Sequence, residues 1–388
     1  MYRQKRYKEC IKEVKSKLKL APKSLHLLNY HAMACSALKR DNEALLSYQK
    51  IRKVDPTLAG PYYNMGIILK RNGRVEEAID SYKKAISLRS DYVQAYNNLG
   101  VVYRDKEEYE DAIEMFTKVK ELQPDHQNSY YSLALIKQKQ GLSEEAIKLF
   151  LKVLDLNPEH NDAKAYAETL CNELGMKLHK EGDNESALKY FKILTLLRPK
   201  SAACFYNTGN TYLELKDFKN AKTYFKSALY IEPNYEMAHS NLGDLYRTLG
   251  KFKKSQKCYK EAIRINPQNA NNYYNLAISL SEAGQIDNAE KSYKKAILVD
   301  PKHVGSYNNL ALLHEARGQT KEALNIAKKV LTFENNHSTT NYSIGLLSLL
   351  LGNFKEGWKY FEYRWKVSPF NKTKWPFKDT PIWKGERR

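Results

Sequence analysis

The sequence predicts an all-α solenoid of stacked antiparallel helix pairs, and three observations carry that prediction. Prolines recur at Pro22, Pro56, Pro124, Pro158, Pro199, Pro233, Pro267, Pro301 and Pro369, in steps of 34 residues or twice that, with one step of 41 between Pro158 and Pro199. The two empty slots fall on Ser90 and Asn335. With the proline set at unit position 32, position 8 is small in all ten units (Ala32, Gly66, Gly100, Ala134, Gly175, Gly209, Gly243, Ala277, Ala311, Gly345), and so is position 20, from Ala44 through Ser255 to Gly357. Position 24 is aromatic in every unit (Tyr48, Tyr82, Phe116, Phe150, Phe191, Phe225, Tyr259, Tyr293, Phe361) except at Ala327. A fixed period of this length marks an array in which each unit buries its apolar face only against its neighbours.

The elements follow in order. An orphan second helix is expected at roughly residues 5 to 20, within an N-terminal segment 1–24. Ten units then run over 25–371, opening at Leu25, Ala59, Val93, Gln127, Asn161, Ala202, Glu236, Ala270, Val304 and Ser338. Within each unit the small residues at positions 8 and 20 let two helices approach closely, while the aromatic at 24 fills space toward the next unit. Position 15 is Gly73, Gly141, Gly182, Gly250, Gly284, Gly318 or Gly352 in seven units, where a first helix ends in a left-handed turn. Proline stops the second helix. The unit 161–201 carries seven extra residues, close to two helical turns, so a lengthened first helix keeps its apolar face in nearly the same direction. The last unit, 338–371, is divergent, and residues 372–388 form an aromatic, basic tail.

Tyr96-x2-Leu99-Gly100-x2-Tyr103, followed by Ala112-x3-Phe116 and Pro124, resembles the tetratricopeptide repeat (TPR), and the same columns cover nearly the whole chain. The resemblance implies a right-handed superhelical solenoid whose first helices line a concave groove, and therefore a scaffold that binds other proteins.

Composition fits a long, thin protein. Hydrophobic content is 42%, a little below the globular norm, as stacked helix pairs with much exposed surface require. The longest apolar run, Ile344 to Leu351, is less than half a membrane span, so no membrane span is expected. The N-terminus is basic without a following apolar segment, which favours a cytoplasmic location. Five scattered cysteines (Cys10, Cys35, Cys171, Cys204, Cys258) have neither an even number nor a paired spacing, which argues against a disulfide framework and a metal site.

The net charge of +20 raises nucleic acid as a partner. Most of the excess is lysine on second helices, for instance Lys83-Lys84, Lys253-Lys254 and Lys294-Lys295, and the tyrosines fill packing columns, so nucleic-acid binding is the minor reading, alongside nonspecific, salt-sensitive association with polyanions. None of the familiar catalytic signatures is present, and the histidines are scattered, several of them (His31, His239, His314) in packing columns. No catalytic residue, cofactor or metal is assigned.

The candidate site is a ladder. Position 6 of the first helix is Asn64, Asn98, Asn207, Asn241, Asn275 and Asn309, interrupted at Tyr30, Ser132, Glu173 and Ser343. An amide offers both a donor and an acceptor, so each rung suits one peptide unit of an extended partner, with positions 2, 5, 9, 12 and 13 setting preference. The alternative is that these asparagines bond within or between repeats, and the two readings are compatible. A clamp for a terminal carboxylate is not expected, because position 5 carries Asn29, Tyr63, Asn97, Tyr131 or Ser240 where it would need lysine.

The last unit presents Leu346, Leu349 and Leu350 at groove positions 9, 12 and 13, followed by Trp358 and then Trp375 and Trp383 in the tail, a set that reads as a surface for docking another domain. The run Gly345-Leu346-Leu347, Leu350-Leu351-Gly352-Asn353-Phe354, Gly357-Trp358, Glu362-Tyr363-Arg364-Trp365 and Pro381-x-Trp383-x-Gly385-Glu386 resembles the junction at which bacterial tetratricopeptide proteins continue into a glycosyltransferase domain of the O-GlcNAc transferase or heptosyltransferase-like type. That resemblance implies a catalytic domain in cis beyond Arg388, with this chain as its acceptor-recognition arm. A self-standing adaptor is the other expectation.

Overall fold

The computed structural model describes residues 6–367. These residues contain 21 α-helices and one short 3₁₀ turn, with no strand among them. The chain divides into two compact units, residues 1–174 and 175–388.

In the first unit, α1 (Tyr7–Leu20) precedes four antiparallel pairs: α2 (Leu25–Ala37) with α3 (Asp41–Val54), α4 (Ala59–Arg71) with α5 (Val75–Leu88), α6 (Val93–Asp105) with α7 (Tyr109–Leu122), and α8 (Gln127–Lys139) with α9 (Ser143–Leu156). The 21-residue α10 (Asn161–Glu181) begins here and continues into the second unit, where it pairs with α11 (Asn184–Leu197). The second unit goes on through α12 (Ala202–Glu214) with α13 (Phe218–Ile231), α14 (Glu236–Thr248) with α15 (Phe252–Ile265), and α16 (Ala270–Glu282) with α17 (Ile286–Val299). It closes with α18 (Val304–Ala316) paired with α19 (Thr320–Val330), then α20 (Ser338–Leu350) with α21 (Phe354–Phe361).

Each pair is held by the columns of small and aromatic residues. Phe116, Phe150, Tyr259 and Phe225 are completely buried. A Cβ added at Gly100 would meet the Phe116 ring at 2.9 Å, and one added at Gly66 would meet Tyr82 at 2.6 Å, so the aromatic of the second helix lies directly on the backbone of the first. Where Ala327 replaces the aromatic, α19 is only 11 residues long and Phe333, in the turn that follows, packs on Tyr307 at 5.9 Å.

All ten turns within the pairs place position 15 at positive φ. Seven are the glycines, from Gly250 at 66° to Gly182 at 86°, and three are Lys39 (58°), Glu107 (63°) and Lys216 (58°). The turn persists without glycine because its hydrogen bonds do: Arg74 N–H reaches Leu69 C=O at 2.9 Å across Gly73, and Asp217 N–H reaches Tyr212 C=O at 2.9 Å across Lys216. Left-handed lysine and glutamate backbones carry about 1 kcal/mol of strain each.

Consecutive pairs stack, second helix on the next first helix, and first helices also touch one another: α4 with α6 and α6 with α8 in the first unit, α12 with α14 and α14 with α16 in the second. Among the described residues no two second helices touch to that extent. Within each unit the first helices therefore crowd on one face and the second helices spread on the other.

Candidate functional site

Position 6 sits on the crowded face, half-buried in every rung. The six asparagines fall into two groups. Asn98 Nδ2 donates to Tyr63 Oη at 3.3 Å, Asn241 Nδ2 to Tyr206 Oη at 3.0 Å and to Asn210 Oδ1 at 2.9 Å, and Asn309 Nδ2 to Tyr274 Oη at 3.3 Å. In each case the tyrosine belongs to position 5 of the preceding repeat. Burial raises the Tyr63 and Tyr206 hydroxyls above the ordinary phenol value, and the asparagine amide partly offsets it. Asn64, Asn207 and Asn275 have no side-chain hydrogen bond among the described residues, and their amides remain open on the first-helix face. The interruptions are occupied locally: Ser132 accepts from Arg104 Nη1 at 3.2 Å, and Ser343 donates to Thr339 C=O at 3.1 Å.

The cause is an alternation. Position 5 reads Asn29, Tyr63, Asn97, Tyr131, Asn172, Tyr206, Ser240, Tyr274, Asn308, Tyr342, so tyrosine returns every second repeat. Each of the first four of these tyrosines also packs on an aromatic that opens the following repeat: Tyr63 on Tyr92 at 4.9 Å, Tyr131 on His160 at 4.8 Å, Tyr206 on Tyr235 at 5.4 Å and Tyr274 on His303 at 5.0 Å. The histidines of that column cap the first helices. His303 Nδ1 accepts the Ser306 N–H at 3.1 Å, and its Nε2 lies 3.1 Å from Asn271 Oδ1.

Two concavities open on the first-helix face. One of about 650 Å³ in the first unit is lined by Arg104, Asp105, Leu135, Gln138, Lys139 and Tyr166. Another of about 500 Å³ in the second unit is lined by Ile278, Glu282, Asn309, Leu312 and Leu313, with Arg317 beside them. The first is charged and the second is apolar-floored, both built largely from positions 9, 12 and 13. Asp244, at position 9 of its repeat, accepts from Tyr259 Oη at 2.7 Å, and burial pushes its carboxyl above the usual range.

In the last repeat Leu350 is 67% exposed, Leu346 is half-buried, and Leu349 lies against Gly357, where an added Cβ would meet Leu349 Cδ2 at 2.6 Å. Leu349 therefore also serves the helix pair. Trp358 packs edge-on against Phe361 at 5.5 Å. Trp375 and Trp383 lie outside the described residues.

His31, Cys35 and Glu43 place three potential metal donors within 4.8 Å of one another. They already satisfy one another and their neighbours: His31 Nδ1 meets Ser47 Oγ at 2.8 Å, Glu43 holds Lys15 at 2.7 Å, and burial pushes the Cys35 thiol up to about 11. Burial lowers the His31 pKa, with the charge of Lys15 adding to the effect and that of Glu43 opposing it.

Models of the tetratricopeptide repeat match residues 93–126, 127–160, 202–235 and 268–333, and a model described as TPR repeat matches 68–105 and 243–282. These matches together span more than half of the chain. The crystal structure of MamA is 30% identical over 39% of this chain and 89% of its own, with a TM-score of 0.37. The chain belongs to the tetratricopeptide-repeat family. Among other solved tetratricopeptide structures, YrrB, described as a TPR protein with an unusual peptide-binding site, is 28% identical over 49% of this chain and 95% of its own (TM-score 0.32). Yeast Tom70 is 15% identical over 90% of this chain and 93% of its own (TM-score 0.42). No curated protein matches the chain.

Sequence reasoning on the tetratricopeptide columns missed the alternation at position 5 and the histidine caps. The alternation was available as a two-repeat period lying over the 34-residue one, and the caps as the histidines that stand just before the first helices, at His126, His160, His303 and His337.

Proposed function

We propose that this tetratricopeptide array is a protein-binding scaffold that holds an extended polypeptide along the first-helix face, through backbone contacts to open asparagine amides. The observation that carries the reading is the set Asn64, Asn207 and Asn275: half-buried, repeated in one column, and without a protein partner for their donors and acceptors. An amide in that state matches a peptide unit of any sequence. Asn98, Asn241 and Asn309 have their donors engaged by tyrosine or asparagine and contribute the open oxygen at most. Charged and apolar concavities beside the ladder would read side chains.

The finer reading is that the scaffold is the acceptor-recognition arm of a glycosyltransferase. The run from Gly345 to Glu386 supports it, as does the exposed Leu350 in the last groove. A self-standing adaptor is the alternative, and the coding sequence downstream of Arg388 distinguishes the two.

The test of the scaffold is a peptide-library titration of the full chain and of a variant with Asn64, Asn207 and Asn275 changed to alanine. Three lost hydrogen bonds of about 1 kcal/mol each weaken binding by roughly two powers of ten. Circular dichroism should show both proteins folded, since none of the three amides has a side-chain hydrogen bond among the described residues. Unchanged affinity would move recognition to the concavities.

A further inference from the structure

The outward faces of the second helices differ in charge along the chain. In α7 the exposed side chains include Glu110, Asp111, Glu114 and Glu121 against a single Lys118. In α15 every exposed residue is basic: Lys253, Lys254, Lys257, Lys260 and Arg264. Exposed Lys189 and Lys192 on α11, Lys219 and Lys226 on α13, and Lys291 and Lys294 on α17 extend the basic face to both sides of α15. Lys253, Lys257 and Lys260 have no carboxylate partner among the described residues, whereas Arg264 is held by Glu261 at 2.8 Å. The same stripes end in apolar side chains, Leu196 on α11, Tyr230 on α13 and Leu298 on α17, which are 80, 90 and 71% exposed and occupy the same repeat column as Arg264.

We propose that this face of the second unit docks on the surface of an anionic lipid bilayer, the lysines reaching the headgroups and Leu196, Tyr230 and Leu298 entering the boundary between headgroups and acyl chains. Lysine suits a diffuse negative surface: it is a point charge on a flexible apolar stem that can lie along the interface. An aliphatic and aromatic edge beside such charges has no use on a bare phosphate backbone, while tyrosine and leucine are at home at a bilayer boundary. A second copy of the chain is a poor occupant, because each copy carries a net charge of +20. The binding is peripheral and leaves the first-helix face free.

The experiment is sedimentation of the full chain with vesicles of phosphatidylcholine and with vesicles of phosphatidylcholine and phosphatidylglycerol in equal parts, over a salt series. Binding to the anionic vesicles alone, falling as salt rises, is expected. Each lysine near a charged bilayer is worth a factor of roughly five, so the combined Lys253→Glu, Lys254→Glu, Lys257→Glu and Lys260→Glu variant should lose more than about a hundredfold in partitioning. All four side chains are exposed, and circular dichroism checks the fold; the four Lys→Gln changes give the same test should the glutamates disturb it. The combined Leu196→Ser, Tyr230→Ser and Leu298→Ser variant should keep binding at low salt and lose the part that resists salt. Equal binding to vesicles without charged lipid, or none to either, overturns the proposal. So does binding to duplex DNA as tight as to anionic vesicles with both indifferent to the serine changes, which would make the face a general polyanion site.

Discussion

The contact between α12 and α14 and the contact between α14 and α16 are built from the same columns, yet they close differently. In the first, Tyr206 is buried, accepts the Asn241 amide at 3.0 Å and packs on Tyr235 at 5.4 Å. In the second, Ser240 stands where the tyrosine would be, Asn275 is left open, and the polar links are a solvent-edge pair, Arg247 to Glu282 at 2.9 Å, and the half-buried Glu236, which accepts from Asn272 Nδ2 at 2.6 Å. The first unit shows the same contrast: Tyr63 holds Asn98 between α4 and α6, while Arg104 reaches Ser132 between α6 and α8. The 34-residue period thus carries the packing, and a 68-residue period decides which amides are spent inside the protein and which stay available to a partner. Open rungs at Asn207 and Asn275 lie two repeats apart, roughly 20 Å for helices packed about 10 Å from their neighbours. An extended chain covers that distance in about six residues.

The largest consequence concerns stability. If the tyrosine-bearing contacts are the strong ones, Tyr206→Ala should cost about 3 to 5 kcal/mol, as for other buried aromatics, because it removes the ring, the aromatic pair and the bond to Asn241 together. Ser240→Ala, in the same column one repeat on, should stay within about 0.5 kcal/mol. Urea unfolding of the two variants measures this directly, since an array's stability is a sum of repeat and interface contributions. Similar losses at the two positions would leave the alternation without energetic meaning.

A smaller effect should ignore the alternation altogether. Gly66 belongs to a tyrosine-bearing repeat and Gly100 does not, but a Cβ at either meets a buried ring, Tyr82 at 2.6 Å or Phe116 at 2.9 Å. Ala134 and Ala277 occupy the same column in other repeats, so the helix pair can open enough to admit a methyl. Gly66→Ala and Gly100→Ala should therefore each cost about 1 to 2 kcal/mol, near the low end for overpacking. Thermal unfolding that separates the two by more than their common loss would show that the two-repeat period reaches the packing as well.

The fold was legible because its signals are steric and repeat with the period of the backbone: small residues where helices approach, aromatics that fill, and glycine where φ must be positive. The turns at Lys39, Glu107 and Lys216 were not legible, since a hydrogen-bonded turn flanked by two well-packed helices imposes the left-handed conformation on residues that do not favour it. The site was half legible. A column of asparagines pointed to the first-helix face, but whether an amide is open depends on the residue 35 positions before it, a tyrosine for Asn98, Asn241 and Asn309 and not for Asn64, Asn207 and Asn275. Reading one column at a time hides a dependence between two columns in different repeats.

The smallest effect isolates that dependence. Tyr206→Phe keeps the ring, its burial and its contact with Tyr235 and removes only the oxygen that accepts the Asn241 amide. The net loss should be about 1 kcal/mol, limited because Asn241 retains Asn210 Oδ1 at 2.9 Å as an acceptor. Tyr131 supplies the control. Its ring packs on His160 at 4.8 Å like the others, but position 6 of the next repeat is Glu173, and no asparagine amide meets its hydroxyl. Tyr131→Phe should then be neutral within about 0.5 kcal/mol. Hydrogen exchange at the α12–α14 contact should quicken in Tyr206→Phe, and at the α8–α9 pair it should be unchanged in Tyr131→Phe. Equal effects in the two variants would mean that the hydroxyl stabilises through solvent or its own helix, and that the open and closed rungs differ in geometry without differing in strength.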